Sequence, residues 1–553
     1  MRVSHNVSAV FDDPNLISCA GLAPTMALAG RCGLADLVAA NLTLKAAGGV
    51  NAAVKVPALV AGMVAGADSI DDMDLLRHGG MGRLFTGIRA PSTLGTFLRT
   101  FTFGYVRQLD AVAAGFLVNL TAAAPVLRDA AAVTFLDIDD TVKSTHGYTK
   151  QGAGYGYSGV KGLNALIATV STPTSAPLIA ATRLRQGSAN SARGAARLIA
   201  DALATTKRCG ATGLVIVRAD SAYYSHDVVA AARRARAKVS ITARMNPAVL
   251  RAISTIDEKA WTPIHYPNAI WDQDEQRLVS DAQVAEIPFT AFTSRAKSEH
   301  LDGRLIVRRV KRLNPASVPA GQGELFATYR HHAVFTDTAL EMLQAESTHR
   351  GHAIIEQVHA DLRAGPLAHF PSSSFSANGA WLVLAAIGFN LTRAAGAIAS
   401  AFHSKATTAT IRAHLIAVPA RIASSARRLI LHLPRDWPWQ DGWEQLFAST
   451  CGPPRAHLLA DPAPPGATAP RIVEEPDKPA ATPHPPTDNP PDEAKHLHRN
   501  PGGGSGIRQT ARESGQDPRH PKAYPRTAAI NMGHRTSGYH LVGSGPGASC
   551  RIR

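Results

Sequence analysis

The chain has 553 residues, 45% of them hydrophobic, and a formal charge of +16. That length buries a sizeable core without disulfide or metal staples and leaves room for about two to four domains. The five cysteines, Cys19, Cys32, Cys209, Cys451 and Cys550, are scattered without CxxC spacing, which argues against a zinc ribbon or a thiol redox centre and fits reduced thiols in a cytoplasm.

The basic excess suits a polyanionic partner, because Lys and Arg release counterions from a phosphate backbone. It divides into +4 on residues 451–553, from 13 Lys and Arg against 9 Asp and Glu, and +12 on the rest. The first residues carry no apolar signal core, and Asp12 and Asp13 would interrupt one, so export is not expected. Residues 1–130 are rich in Ala and Leu at helical spacing and predict a helical domain with an accessory or DNA-binding role. Within it Ser92 is placed to cap a helix whose Leu94, Phe97, Leu98 and Phe101 share one face, with Arg99 and Arg107 pointing elsewhere.

From 131 the texture changes to short β-branched runs: VTFLDID, LIATVST, LIAATRLR, LVIVRAD and VSITA. Two helices lie among them, one ending at Gly210 and one opening at Ser225. Residues 131–256 therefore predict an α/β fold, a mixed sheet covered by flanking helices. Residues 257–335 look like a β-rich insertion, with strands at RLIVRRVKRL and ELFATYRHHAVFTD. A helix over 337–363 and further helical sequence complete the folded part at about 450. The apolar run Gly379–Phe389 is about half of what a membrane span needs and predicts a buried helix, with no membrane partner. Half of the 36 prolines fall in 451–553 together with GGGSG, a composition too poor in apolar residues to offset its ordering entropy.

Three acidic constellations carry chemistry. In FLDIDDT the strand period of two puts Asp137 and Asp139 on one face, and Asp140 reads as a turn acid capping the next segment. In LVIVRADS an apolar strand delivers Asp220 at its C-terminal tip, the usual site edge of an α/β sheet, with Arg218 free to hold a phosphate or a site carboxylate. In STHRGHAIIEQVHADLR, His349, His352, Glu356 and Arg363 fall along one side of a helix. Carboxylates in such positions suit Mg²⁺ or Mn²⁺. A zinc site at His349, His352 and His359 lacks HExxH spacing. GYGYSG at 154–159 follows no strand directly and reads as a glycine-rich turn. Arg183, Arg185, Arg193, Arg233, Arg234 and the basic run at 308–312 (Arg308, Arg309, Lys311 and Arg312) are candidate phosphate contacts.

Taken in order, FLDIDDT, VRADSAYYS, HRGHAIIEQVHADL and HFPSSSFSANGAWLVLAAIGFNLTR resemble the bacterial DDE transposases of the insertion-sequence family numbered 1380, over residues 15–430. The resemblance implies an RNase H-like catalytic core with a β-rich insertion between the second acid and the last. By position it implies Asp139, Asp220 and Glu356 as ligands of two divalent ions, with Asp137 an alternative to Asp139. It also implies DNA as partner, both the element's terminal inverted repeats and the target, and a homodimer in a synaptic complex. Around the last acid the related Tyr, Arg, Glu, Lys signature falls on His349, His352, Glu356 and Arg363, with Arg350 next to the replaced Arg. Two other readings stand beside it: a haloacid-dehalogenase-type phosphatase using Asp137 and Asp139, and a DNA-binding protein without catalysis.

Overall fold

Helices fill much of the chain before residue 124, among them α1 (Ala52–Ala65), α2 (Pro91–Arg99) and α3 (Phe103–Ala123). The computed structural model describes residues 1, 5–145, 149–272, 277–311, 329–425 and 428–452. The Pro-rich stretch from 453, Cys550 and Arg312 lie outside them. Ser92 does not cap α2: Pro91, whose ring presets a helical φ, takes the first turn after Ala90. Leu94, Phe97, Leu98 and Phe101 do share a buried side. The chain turns at Thr100–Thr102 and restarts as α3, where Arg107 pairs with Asp110 at 2.6 Å and Asp201 at 2.8 Å.

The β-branched runs become β1 (Val133–Ser144), β2 (Lys161–Thr172), β3 (Ser175–Gln186), β4 (Leu214–Ala219) and β5 (Lys238–Thr242). β2 lies antiparallel between β1 and β3, while β1, β4 and β5 run parallel. The parallel neighbours require crossovers, supplied by α4 (Ala195–Arg208) ahead of β4 and α5 (His226–Arg234) ahead of β5. Gly210, at φ +95°, supplies the left-handed residue just past α4. Ser225 stands at the start of α5, but its hydroxyl makes no capping bond. β1 extends past the expected run to Ser144, so Asp140 sits inside a strand, not in a turn.

The β-rich stretch forms an antiparallel meander of β6 (Thr262–Asp272), β7 (Arg277–Ala291), β8 (Leu301–Lys311) and β9 (Tyr329–Thr336). β9 pairs with β5 through Val334–Thr242, so the meander continues the central sheet, which among the described residues holds ten strands with the two-residue strand Gly154–Tyr155.

The helix expected over 337–363 is two helices, α6 (Met342–Arg350) and α7 (Ile354–Arg363), joined by a 3₁₀ turn at Gly351–Ala353. Behind the sheet runs α8 (Phe375–Ala399), packed on α1, α3 and β3. It is much longer than its apolar run and could cross a membrane by length and composition, yet 89% of its most apolar window is buried inside the protein. Each Leu or Phe so buried contributes about 1.5–3 kcal/mol. Asn390, midway along α8, bonds both the N–H and the C=O of Ile179 at 2.8 Å, where a bulge frees β3 from its ladder with β2. That pairing satisfies backbone groups that would otherwise be buried unpaired.

Candidate active site

β1 and β4 run in parallel register, with Ile138 opposite Ala219, so the next residues, Asp139 within β1 and Asp220 just past the end of β4, stand side by side. Such strands lie about 4.8 Å apart. The apolar alternation dictates the faces: Leu136 and Ile138 are fully buried on one side, and Asp137 and Asp139 point to the other, toward α7. Asp220 also accepts the Ala222 amide at 2.9 Å, which starts the turn after β4. Burial, then the negative field of Asp139, raises the Asp220 carboxyl above the ordinary range, while the Ala222 amide and His352 oppose that shift. A carboxyl pushed up partly by its carboxylate neighbour makes, with that neighbour, a donor set that a divalent cation neutralises.

Asp137 has no exposed surface. Its oxygens accept Arg218 Nε and Nη2, each at 2.7 Å, and His352 Nδ1 lies 2.9 Å from Oδ1. Asp139 keeps an edge exposed; His359 Nε2 lies 3.3 Å from Oδ2 without the geometry of a hydrogen bond. Asp140, on the opposite face, accepts the Tyr223 hydroxyl at 2.5 Å and an Asn164 amide, and pairs with Arg185 at 3.0 Å. Those donors hold it below the ordinary carboxylate range despite its burial. It is a structural junction, not the capping acid expected from the sequence.

The helical residues divide among separate partners. His349 sits between Ser240 Oγ at 3.0 Å and Thr242 Oγ1 at 2.9 Å, and burial keeps it neutral. His352 meets Asp137, and buried His359 meets Asp139, so the three histidines do not converge on one point. Glu356 is exposed on α7, between His352 and His359, about one turn from each. Among the described residues no three His, Cys, Asp or Glu side chains gather at metal-binding separation. Asp139 and Asp220 lie side by side in a carboxylate pair that fits Mg²⁺ or Mn²⁺, while Glu356 stands on the helix whose His359 meets Asp139, without the three being drawn together into a finished cluster.

The basic candidates also separate. Arg185 is 6% exposed, bound to Asn164, Asp140 and the carbonyls of Asn190, Ser191 and Arg193. Arg183 pairs with Asp201 at 3.4 Å, Arg233 with Asp337 at 2.9 Å, and Arg309 with Glu258 at 2.8 Å. Arg350 turns to Glu346 and lies 4.7 Å above the Tyr266 ring. Arg363, exposed at the end of α7, stands near Lys143 of β1, and with burial its charge pushes that lysine down. Tyr223 and Lys143 were given no role by sequence reasoning. Tyr223 lay inside VRADSAYYS, and a buried tyrosine in a polar block is the signal for a hydroxyl with a carboxylate partner.

A fully buried Asp137 held by Arg218 and His352 is unsuited to nucleophilic attack, so the phosphatase reading is not favoured; nor is a protein without catalysis, once the chain is set beside known families. A search of curated proteins found no match. The family model described as transposase DDE domain group 1 matches residues 2–450, most of the chain and the N-terminal helices with it. The chain belongs to the DDE transposases of that group.

Proposed function

We propose that the protein cuts and joins DNA at the ends of an insertion sequence of the family numbered 1380, through Asp139, Asp220 and Glu356 as ligands of two divalent ions. The observation that supports this reading is the placement of Asp139 and Asp220 at matching positions on parallel strands, with α7, the helix that bears Glu356, reaching Asp139 through His359. Asp139 is preferred to Asp137 as first ligand, because Asp137 already satisfies Arg218 and His352. The order β3-β2-β1-β4-β5, with antiparallel pairing on one side of β1 and parallel on the other, supports an RNase H-like core, and β6–β9 fall between the second acid and the last.

Mg²⁺ or Mn²⁺ held there would lower the pKa of the attacking oxygen and stabilise the leaving one. The chain's own groups do the rest. Asp139 and Asp220 present oxygens from the sheet, and Glu356 presents its own from the helix. Arg363 and Lys143, at the same end of that face, receive a phosphate of the backbone and fix its register without reading sequence. Water is the nucleophile at the element's end, and the freed 3′-hydroxyl is the nucleophile on target DNA. Both steps take place in a synaptic homodimer on chromosomal DNA in the cytoplasm.

The test is nicking of DNA carrying the element's terminal inverted repeats, with and without Mg²⁺, by wild type, Asp220→Asn and Glu356→Gln. Metal-dependent nicking that both substitutions abolish supports the assignment. Full activity in either variant would overturn it.

A further inference from the structure

We infer that Asp137, Arg218, His349 and His352 form a clamp that positions Glu356 against Asp139 and Asp220: the turn before α7 is tied to all three parallel strands. This rests on the three acids being the metal ligands. None of the four is a catalytic residue; each acts through the helix it holds.

Arg218, from the middle strand β4, uses every edge of its guanidinium. Nε and Nη2 grip both oxygens of Asp137 on β1, and Nη1 donates at 2.8 Å to the carbonyl of Thr348 near the end of α6. Its Cζ lies 4.1 Å from the centroid of the Phe135 ring, which packs against one side of the fork. That carbonyl is among those a helix end leaves unpaired, and a cation there is favoured by the helix dipole. Gly351 is what allows the approach, since a Cβ on it would stand 2.6 Å from Arg218 Nη1.

One residue later His352 returns to Asp137 at 2.9 Å. Two residues before Gly351, His349 reaches the third strand, β5, through Ser240 and Thr242. The break at Gly351–Ala353 thus places one histidine on each outer strand of the parallel trio, with arginine from the central strand between them.

A buried ion pair of this kind adds little net stability over an apolar pair of the same volume, because both charges are desolvated. What it adds is a fixed direction, since a bidentate fork has one good geometry. Glu356 follows His352 by one helical turn, about 6 Å of rise, so a small tilt at the clamp moves the carboxylate by a comparable amount. Ligand geometry tolerates errors of only about 0.5 Å.

The experiment is Mn²⁺ binding to the full-length chain, read by electron paramagnetic resonance, with circular dichroism and DNA binding in EDTA as checks on the fold. Glu356→Gln is compared with Arg218→Lys, Gly351→Ala and His352→Gln. Arg218→Lys keeps the charge and loses the fork; Gly351→Ala keeps every polar group and crowds the fork.

The expected result is that all four variants weaken Mn²⁺ binding, the three clamp variants by about ten-fold or more, with metal-free DNA binding unchanged. Should Arg218→Lys fail to fold, Gly351→Ala and His352→Gln decide. If those two bind Mn²⁺ like wild type while Glu356→Gln does not, the clamp is overturned and the ligand reading stands. If Glu356→Gln itself binds like wild type, the ligand reading fails and the clamp fails with it.

Discussion

Asp139 and Asp220 stand one residue past the Ile138–Ala219 pair on parallel strands, so two carboxylates from distant parts of the sequence emerge at the same level of the sheet. The neighbouring acids in sequence have other tasks. Asp137 is closed off by Arg218 and His352, and Asp140 faces the opposite side, bound to Tyr223, Asn164 and Arg185. FLDIDDT therefore contains three aspartates in three environments, which mutation can separate.

Asp139→Asn should lower Mg²⁺-dependent cleavage by about a hundred-fold or more, the scale of losing a metal ligand. Asp137→Asn should retain cleavage at saturating metal with a raised metal requirement, while Asp137→Ala should cost about 3–5 kcal/mol of stability by leaving Arg218 buried without its partner. Cleavage titrated against Mg²⁺, together with urea unfolding, checks both. The reverse order, with Asp137→Asn inert at any metal concentration and Asp139→Asn active, would move the first ligand to Asp137.

His349 gives the protein a specific acid sensitivity. Burial, above all, pushes its imidazole down to about 3 from an ordinary 6.5. The unfolded chain therefore takes up a proton below about pH 6.5 that the folded chain refuses, and stability is complete above that pH and falls as pH drops toward 3. At pH 5 the loss is about 2 kcal/mol, 1.5 units at about 1.36 kcal/mol each. His349→Gln should flatten this slope. Unfolding midpoints measured from pH 8 to 4.5 read it directly, and equal slopes in the two proteins would rule out His349 as the source.

Much of this arrangement was legible because it depends on local pattern. The five apolar runs announced five strands, and the tip of LVIVRAD announced Asp220. The strand period of two put Asp137 and Asp139 on one face, as found. Sequence could not say which of the pair is closed off, since that depends on Arg218, 81 positions away. The break in the expected helix was equally hidden: Gly351 is tolerated in a helix on propensity alone, and its purpose lies in the guanidinium against it. The β-rich stretch was read as an insertion by its texture, but its continuity with the central sheet is settled by the β5–β9 pairing, a contact between strands about 90 residues apart. α8 outgrew its apolar run because small and polar residues, Asn390 and Thr392 among them, find partners inside the core.

The basic residues should fall into two groups by salt dependence. Arg363 is exposed beside the acidic face, so Arg363→Gln should weaken DNA binding about uniformly across sequences and reduce the slope of log affinity against log salt by about 1. Arg185 is enclosed, so Arg185→Gln should act on stability instead, by leaving Asp140 without its cation. Binding titrations at several salt concentrations, paired with melting curves, separate the two. A changed salt slope in a fully folded Arg185 variant would place that residue on the DNA after all.

The core helix α8 supplies the last contrast, through its largest fully buried side chain. Trp381 is fully buried, and its indole N–H donates to the Pro366 carbonyl at 2.6 Å. Trp381→Ala removes a large apolar volume and leaves that carbonyl unpaired, so a loss of about 3–5 kcal/mol is expected, from a cavity that helical neighbours close only in part. Trp381→Phe fills most of the space and loses the hydrogen bond alone, for about 1–2 kcal/mol. Since Pro366 stands three residues past the end of α7, this bond also holds the far end of the helix that carries Glu356. Trp381→Phe should therefore lower cleavage more than its modest loss of stability predicts, at temperatures well below melting. Cleavage unchanged in that variant would confine the control of Glu356 to the Arg218 end of the helix.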